Sequence, residues 1–245
     1  MTEIELKLEY KECEPRQGGI AVIIAAAGSS SRMSGLNKQF IKIGGIPVIA
    51  RTMLCFERCD SVSKIIIAAR EDDIPEIQLL ADRYMISKLT DIVSGGGCRQ
   101  DSVKKAFSVL DSKDKKALIH DGARPLVPDS VIKSVVFSLE KYDAVTCAVK
   151  VKDTVKRIDS DGFAVETPNR ESLVAVQTPQ GVDVEKYRAA MQKAGDLSLF
   201  TDDMSIMEQA GYTVMTVNGS YQNIKITTRE DLAVAEAFIA GNDEE

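Results

Sequence analysis

The sequence predicts an α/β fold, a doubly wound, mainly parallel, Rossmann-like sheet with a protruding β-hairpin arm. Three observations carry this reading. Ile20–Ala25 (IAVIIA) and residues 64–69 (KIIIAA) are continuous β-branched apolar runs, the pattern of strands buried on both faces. Between such runs lie stretches of about a dozen residues with apolar positions at helical spacing. Strand and helix then alternate, which implies right-handed βαβ crossovers and helices on both faces of the sheet.

In chain order, Ile4, Leu6, Leu8 and Tyr10 alternate with charged residues and predict a short half-buried strand before the break at Pro15. Ile20–Ala25 follows as a buried strand that runs into a tight loop at Gly28. Pro47 opens a helix through residue 56, residues 64–69 form the next strand, and residues 74–84 a second helix. Leu89–Ser94 is a strand, and Val103, Ala106, Phe107 and Leu110 mark one face of a third helix. Residues 117–120 are a strand, 128–142 a helix and 143–149 a strand.

From residue 150 to 177 the rhythm changes to short strand-like pieces (DTVKRI, FAVE, LVAVQT) around an Asp161-Gly162 turn, with no helix between them. This segment reads as the arm. Exposed edge strands are commonly managed by pairing with a second copy, so the arm predicts a homodimer. Val184–Lys193 and residues 203–210 are then helical, 213–217 is a strand, and Thr227 with Glu230 forms a capping box before the last helix. The expected organisation is an extension (1–19), one domain (20–239) that includes the arm, and a tail (240–245).

The 245 residues and 44% hydrophobic content suffice for a substantial core. A net charge of -6 argues against general nucleic-acid binding, which needs a basic face. Five cysteines, Cys13, Cys55, Cys59, Cys98 and Cys147, show neither a CxxC pair nor zinc-ligand spacing and read as reduced thiols. There is no apolar leader region and no apolar run long enough to span a membrane, so the expected location is the cytoplasm.

Ligands of doubly wound sheets sit at the carboxyl ends of the strands, and four clusters fall there or nearby. The first is AAAGSSSRM: Gly28 permits a sharp turn, and the backbone N–H groups that follow it can converge on an anion. Arg32 and, six residues later, Lys38 add two positive charges suited to a triphosphate. The segment is neither a Walker A loop nor a GxGxxG fingerprint. A serine-rich turn with solvated basic residues is the plain alternative.

The second cluster is GGGCRQDSV, in which Gly95 and Gly96 let backbone approach a flat base and Ser102 offers a hydrogen bond. Selection by backbone groups favours a compact pyrimidine. The third is HDGARP: Asp121 follows an apolar strand and suits magnesium, which takes one or two carboxylates plus phosphate oxygens, and Arg124 suits a second phosphate. The single histidine, His120, reads as structural, because a nucleophilic phosphate is already ionised near neutral pH. The fourth set, Lys152, Asp153, Thr154, Lys156, Arg170, Thr178 and Lys225, supplies hydroxyls and cations for a polyol phosphate.

In this order and at these separations the four clusters resemble those of the 2-C-methyl-D-erythritol 4-phosphate cytidylyltransferases of non-mevalonate isoprenoid biosynthesis, over about residues 20–239. The resemblance implies CTP as nucleotide substrate, Mg²⁺ as cofactor and a small polyol phosphate as acceptor. It implies that Arg32 and Lys38 stabilise charge developing at the α-phosphate with help from Lys225, and that Asp121 binds the metal. It further implies that Ala26, Ala27, Gly28, Ser29, Ser30, Gly95, Gly96 and Ser102 hold the nucleotide. Asp121, Arg124, Thr154, Arg170 and Thr178 are the implied acceptor contacts, Thr154 and Arg170 reaching across from the partner's arm.

The sequence departs from the family pattern in reading HDGARP for HDAARP and in carrying Gly97 where some members have an acidic side chain. Rival readings are a ribitol 5-phosphate cytidylyltransferase, a non-catalytic CTP-sensing protein and a plain α/β interaction module. DTVKR followed by an Arg before QTPQ favours methylerythritol phosphate over ribitol phosphate.

Overall fold

The computed structural model describes residues 19–28 and 37–242. The strand expected at residues 4–10, Cys13, and the loop residues Ser29, Ser30 and Arg32 lie outside them. Along the chain come β1 (Ile20–Ala25), β2 (Lys42–Ile43), β3 (Ile46–Pro47), α1 (Val48–Glu57), β4 (Val62–Ala69), α2 (Ile74–Arg83), β5 (Leu89–Ser94) and α3 (Arg99–Phe107). The second half holds β6 (Lys116–Asp121), α4 (Asp129–Ser138), β7 (Ala144–Lys150), β8 (Arg157–Ile158), β9 (Ala164–Glu166), β10 (Val174–Asp183), α5 (Val184–Lys193), α6 (Asp203–Gln209), β11 (Val214–Asn218) and α7 (Arg229–Asn242).

Seven strands make one sheet in the order β11-β7-β10-β6-β1-β4-β5. β1 pairs in parallel with β4 on one side and β6 on the other, and Ala25 stands in register with Asp121. Because the chain steps outward from β1 through β4 to β5 and then returns to β6, the order reverses beside β1, which opens a crevice at the strands' carboxyl ends.

The pleat of β1 sorts the core. Val22 and Ile24 pack with α1, α2 and α4, whereas Ala21 and Ile23 pack with α3, α5 and α6. Each of these fully buried isoleucines contributes about 1.5–3 kcal/mol. A third cluster, Ile43, Val48, Ala123, Ile226 and Ala235, seats α7 and the segment before it beside the loop after β6. No helix among the described residues is long and apolar enough to cross a membrane.

Three expectations are corrected, and one hairpin is new. LVAVQT is not a third piece of the arm: it is the first part of the ten-residue β10, antiparallel to both β6 and β7 in the main sheet. The chain returns from β7 without a crossover helix, so the returning strand must run the other way. The arm's hairpin is β8 with β9, closed around Gly162 at φ +88°. The α7 capping partner is Asp231 rather than Glu230: its Oδ2 accepts the backbone N–H of Thr227 at 2.7 Å and of Thr228 at 2.8 Å. The helix expected to reach residue 142 ends at Ser138 in a tightened turn, Lys141 N–H to Ser138 O. Finally, the β2–β3 hairpin carries no periodic signal, being two two-residue strands around Gly44 and Gly45, both at positive φ.

Candidate active site

Asp121 ends β6 at the crevice and is 6% exposed. A carboxylate there is tolerated only with partners, and it has three cations. Its Oδ1 accepts from Arg99 Nε at 2.9 Å; its Oδ2 lies 2.9 Å from Lys225 Nζ and 3.5 Å from Arg124 Nε. Burial alone would raise the Asp121 carboxyl, but Arg99, then Lys225 and Arg124, hold it well below the usual carboxylate range.

These side chains come from distant segments that backbone bonds tie together. Ile226 N–H donates to Ala123 O at 2.8 Å, which fixes the Lys225 segment against the loop after β6. Arg124 Nη1 donates to Asn223 O at 2.7 Å, and the Asn223 amide donates to Thr178 O at 2.8 Å and to Gln177 Oε1 at 3.2 Å. Asn223 thus links the Lys225 segment to β10, where the Thr178-Pro179 bond is cis.

His120 is fully buried, edge-on to Phe56 at 4.9 Å. Its Nε2 lies 3.0 Å from Arg124 O, an atom that only accepts, so Nε2 carries the proton. Nδ1 then accepts from the Thr178 hydroxyl at 3.0 Å, whose oxygen in turn accepts the Asp121 N–H at 3.0 Å. Burial is the main cause that takes the imidazole from 6.5 down to about 4. Neutral and with both nitrogens engaged, His120 braces the loop that presents Asp121 and Arg124.

The loop after β5 forms the opposite wall. Gly95 N–H donates to Ala69 O at 2.7 Å, and a Cβ on Gly95 would collide with the Ala27 methyl. Glycine is what lets the first and second clusters touch. Ser102 Oγ accepts from Gly96 N–H at 3.0 Å and donates to Cys98 O at 2.9 Å, so this hydroxyl shapes the loop instead of standing open to a base. The thiol of Cys98 caps α3 by accepting from Asp101 N–H at 3.4 Å. Cys55, Cys59, Cys98 and Cys147 are free thiols.

Lys38 follows Asn37, whose amide donates to both Asp73 oxygens at 2.9 Å; the Gln39 amide reaches Ala26 O at 3.5 Å. The turn carrying Lys38 is therefore tied to both the first loop and the segment after β4. Gly28 is exposed, and among the described residues no atom lies within 4 Å of where its Cβ would stand.

Asp121, Arg124, Thr178 and Lys225 thus meet in one cluster, as does His120. Thr154 and Arg170 lie exposed on the arm, where Arg170 Nη1 donates to Lys152 O at 2.8 Å. Thr178, like Ser102, is buried with its hydroxyl used inside the protein. Arg99, Asp203 and Asn223 join the site without having been singled out. Arg99 stands in the glycine-loop motif, but its bond to Asp203 spans 104 residues and leaves no local signal.

A divalent cation fits this donor set. Among the described residues no three His, Cys, Asp or Glu side chains gather as a metal cage. One carboxylate with an exchangeable lysine on Oδ2 suits Mg²⁺, which completes its shell with water and phosphate oxygens.

The model of the family described as 2-C-methyl-D-erythritol 4-phosphate cytidylyltransferase matches residues 20–241. The chain belongs to that family. It is accordingly an enzyme, a cytidylyltransferase among the nucleotidyltransferases. A relative of that name from Halalkalibacterium halodurans is 48% identical over 222 residues, 90% of this chain and 96% of its own. The crystal structure of a 4-diphosphocytidyl-2C-methyl-D-erythritol synthase from Anaerococcus prevotii superposes with a TM-score of 0.82 at 34% identity, covering 91% of this chain and 96% of that one. The 2-C-methyl-D-erythritol 4-phosphate cytidylyltransferase of Thermus thermophilus gives 0.74 at 27% identity, with 90% and 98% covered. In this cytidylyltransferase Arg99, Arg124 and Lys225 gather on Asp121 at the carboxyl end of β6.

Proposed function

We propose that the chain transfers CMP from CTP to 2-C-methyl-D-erythritol 4-phosphate, giving 4-diphosphocytidyl-2-C-methyl-D-erythritol and pyrophosphate in non-mevalonate isoprenoid biosynthesis. The observation that carries it is Asp121 at the switch point of the sheet, bound by Arg99, Arg124 and Lys225.

A phosphate oxygen of the acceptor attacks the α-phosphorus in line, the new P–O bond forms, and the α–β bridging bond breaks to release pyrophosphate. The acceptor oxygen is already ionised, so no base is required, and His120 is not available as one. Catalysis is positioning plus neutralisation of charge on the phosphates. Lys38, Arg32 and Lys225 supply that charge, Arg124 binds the acceptor phosphate, and the backbone at Ala26, Ala27, Gly28, Ser29, Ser30, Gly95 and Gly96 cradles the nucleotide. Ser102 and Thr178 serve by holding the shapes of the nucleotide loop and of the Asp121 loop. Asp121 would hold Mg²⁺, which would supply positive charge to offset that of the triphosphate.

The arm completes the site in a homodimer. Ile158, Phe163 and Val165 are exposed along it, and an apolar face on a narrow hairpin is stabilised by a second copy. In that arrangement Thr154 and Arg170 contact the acceptor bound to the partner. Four free thiols suit a reducing cytoplasm.

Pyrophosphate release with CTP, Mg²⁺ and methylerythritol 4-phosphate tests the proposal, run beside ribitol 5-phosphate and beside ATP, GTP and UTP. Preference for methylerythritol phosphate and CTP is the expected result. Faster turnover of ribitol phosphate would overturn the acceptor assignment, and CTP binding without turnover of either acceptor would overturn catalysis.

A further inference from the structure

The two oxygens of Asp121 are held in different ways. Oδ1 belongs to Arg99, whose Nη1 also binds Asp203 Oδ2 at 2.7 Å. Asp203 is 0% exposed at the start of α6, and its other oxygen accepts from the Tyr187 hydroxyl at 2.6 Å. The Tyr187 ring lies in the core, 4.9 Å from Phe107, and Gln180 Oε1 accepts the Asp203 N–H at 3.0 Å. Arg99 is therefore clamped between a carboxylate that cannot move and one that it holds in place. Oδ2 faces Lys225, whose side chain is 40% exposed, and the Arg124 Nε at 3.5 Å, beyond a good hydrogen bond.

Resting on the reading of Asp121 as the metal-binding carboxylate, we propose that Arg99, fixed by Asp203 and Tyr187, is a positioning residue that commits Oδ1 to the protein and leaves Oδ2 as the single exchangeable oxygen. Three cations face two carboxylates here. When a nucleotide brings a divalent cation to Oδ2, Lys225 gives up that oxygen and takes phosphate oxygens instead. An Arg99 without Asp203 would be free to turn both nitrogens onto Asp121, covering Oδ2 and competing with the cation. Asp203 thus sets metal affinity from a position that touches neither metal nor nucleotide, and Arg99 joins the nucleotide loop to the metal carboxylate.

The test uses the full chain with CTP and Mn²⁺ as the probe, reading bound metal from the loss of the free Mn²⁺ electron paramagnetic resonance signal. Asp203→Asn should weaken Mn²⁺ binding in the presence of CTP by about tenfold or more, the size seen when a partner of a metal ligand is removed. CTP affinity without metal should hold, and the Mg²⁺ concentration for half-maximal turnover should rise by the same factor while kcat at saturating Mg²⁺ is kept. Tyr187→Phe should move both readouts the same way by less. A purely structural role would lower the melting temperature and leave metal half-saturation where it was.

Native Mn²⁺ affinity in Asp203→Asn, with Asp121→Asn impaired, overturns this inference alone. Unchanged Mn²⁺ binding in Asp121→Asn overturns the reading beneath it. Should Asp203→Asn fail to fold, Arg99→Lys, which reaches only one of the two carboxylates, carries the same expectation, and native Mn²⁺ affinity in that variant overturns the inference equally.

Discussion

The Thr178 hydroxyl donates to His120 Nδ1 at 3.0 Å while its oxygen accepts the Asp121 N–H at the same distance, so one small side chain engages the imidazole and holds the backbone that presents Asp121. Both contacts are buried. Thr178→Val keeps the shape and strands two polar groups, each costing about 1–3 kcal/mol. A lowered urea midpoint with unchanged slope is expected, with Thr178→Ser close to native. Equal stability of the Val and Ser variants would show that the hydroxyl does not matter.

His120 also sets an acid window. Its native value of about 4 lies below the ordinary 6.5, so the unfolded chain takes up a proton that the folded one refuses. The stability this neutral imidazole contributes is full above about pH 6.5 and is lost as pH falls towards 4, by about 3 kcal/mol in all. The Asp121 carboxyl, held below its ordinary 3.8, adds its own loss only below that value. Urea melts at pH 7.5 and 4.5 check this: His120→Gln should be weaker than native at 7.5 yet lose less between the two.

What the sequence made legible follows burial. β1 and α5 have the expected bounds, because a strand packed on both faces or a one-sided helix writes its environment into consecutive residues. β10 does not, because its first three residues are exposed and its next six buried, so no single period runs through it. In the site, Asp121 was readable as the polar end of an apolar strand and Lys225 from its motif. Asp203 was not, because a buried aspartate is made possible by Arg99, Tyr187 and Gln180 from elsewhere in the chain.

Lys38 stands in a turn that Asn37 ties to Asp73 and Gln39 ties to Ala26. Lys38→Ala should lower kcat by about 10²–10³, the scale of one charge-stabilising group, with an unchanged thermal melt. Near-native turnover would remove Lys38 from the machinery.

Gly95 and Ala27 meet where a second methyl has no room. Gly95→Ala must push the two nucleotide loops apart, so KM for CTP should rise about tenfold or more while KM for the acceptor changes little, with about 1–3 kcal/mol of stability lost to overpacking. Ala27→Gly in the same chain should restore CTP binding in part, since the two sites share one contact. Failure of that rescue would place the effect in the glycine's backbone instead.

The cross-subunit role of the arm can be separated from a same-chain role by mixing two inactive proteins. Lys38 sits in the turn tied to the loop after β1, and Arg170 on the arm, its guanidinium bound to Lys152 O. If Arg170 serves the partner's site, a heterodimer of Lys38→Ala with Arg170→Ala gathers both lesions in one site and leaves the other intact. Random re-pairing at equal amounts makes half the dimers mixed, so activity should recover to about a quarter of native. If Arg170 serves its own chain, every site carries one lesion and mixing recovers nothing. Light scattering on the same samples distinguishes the second result from a failure to form dimers.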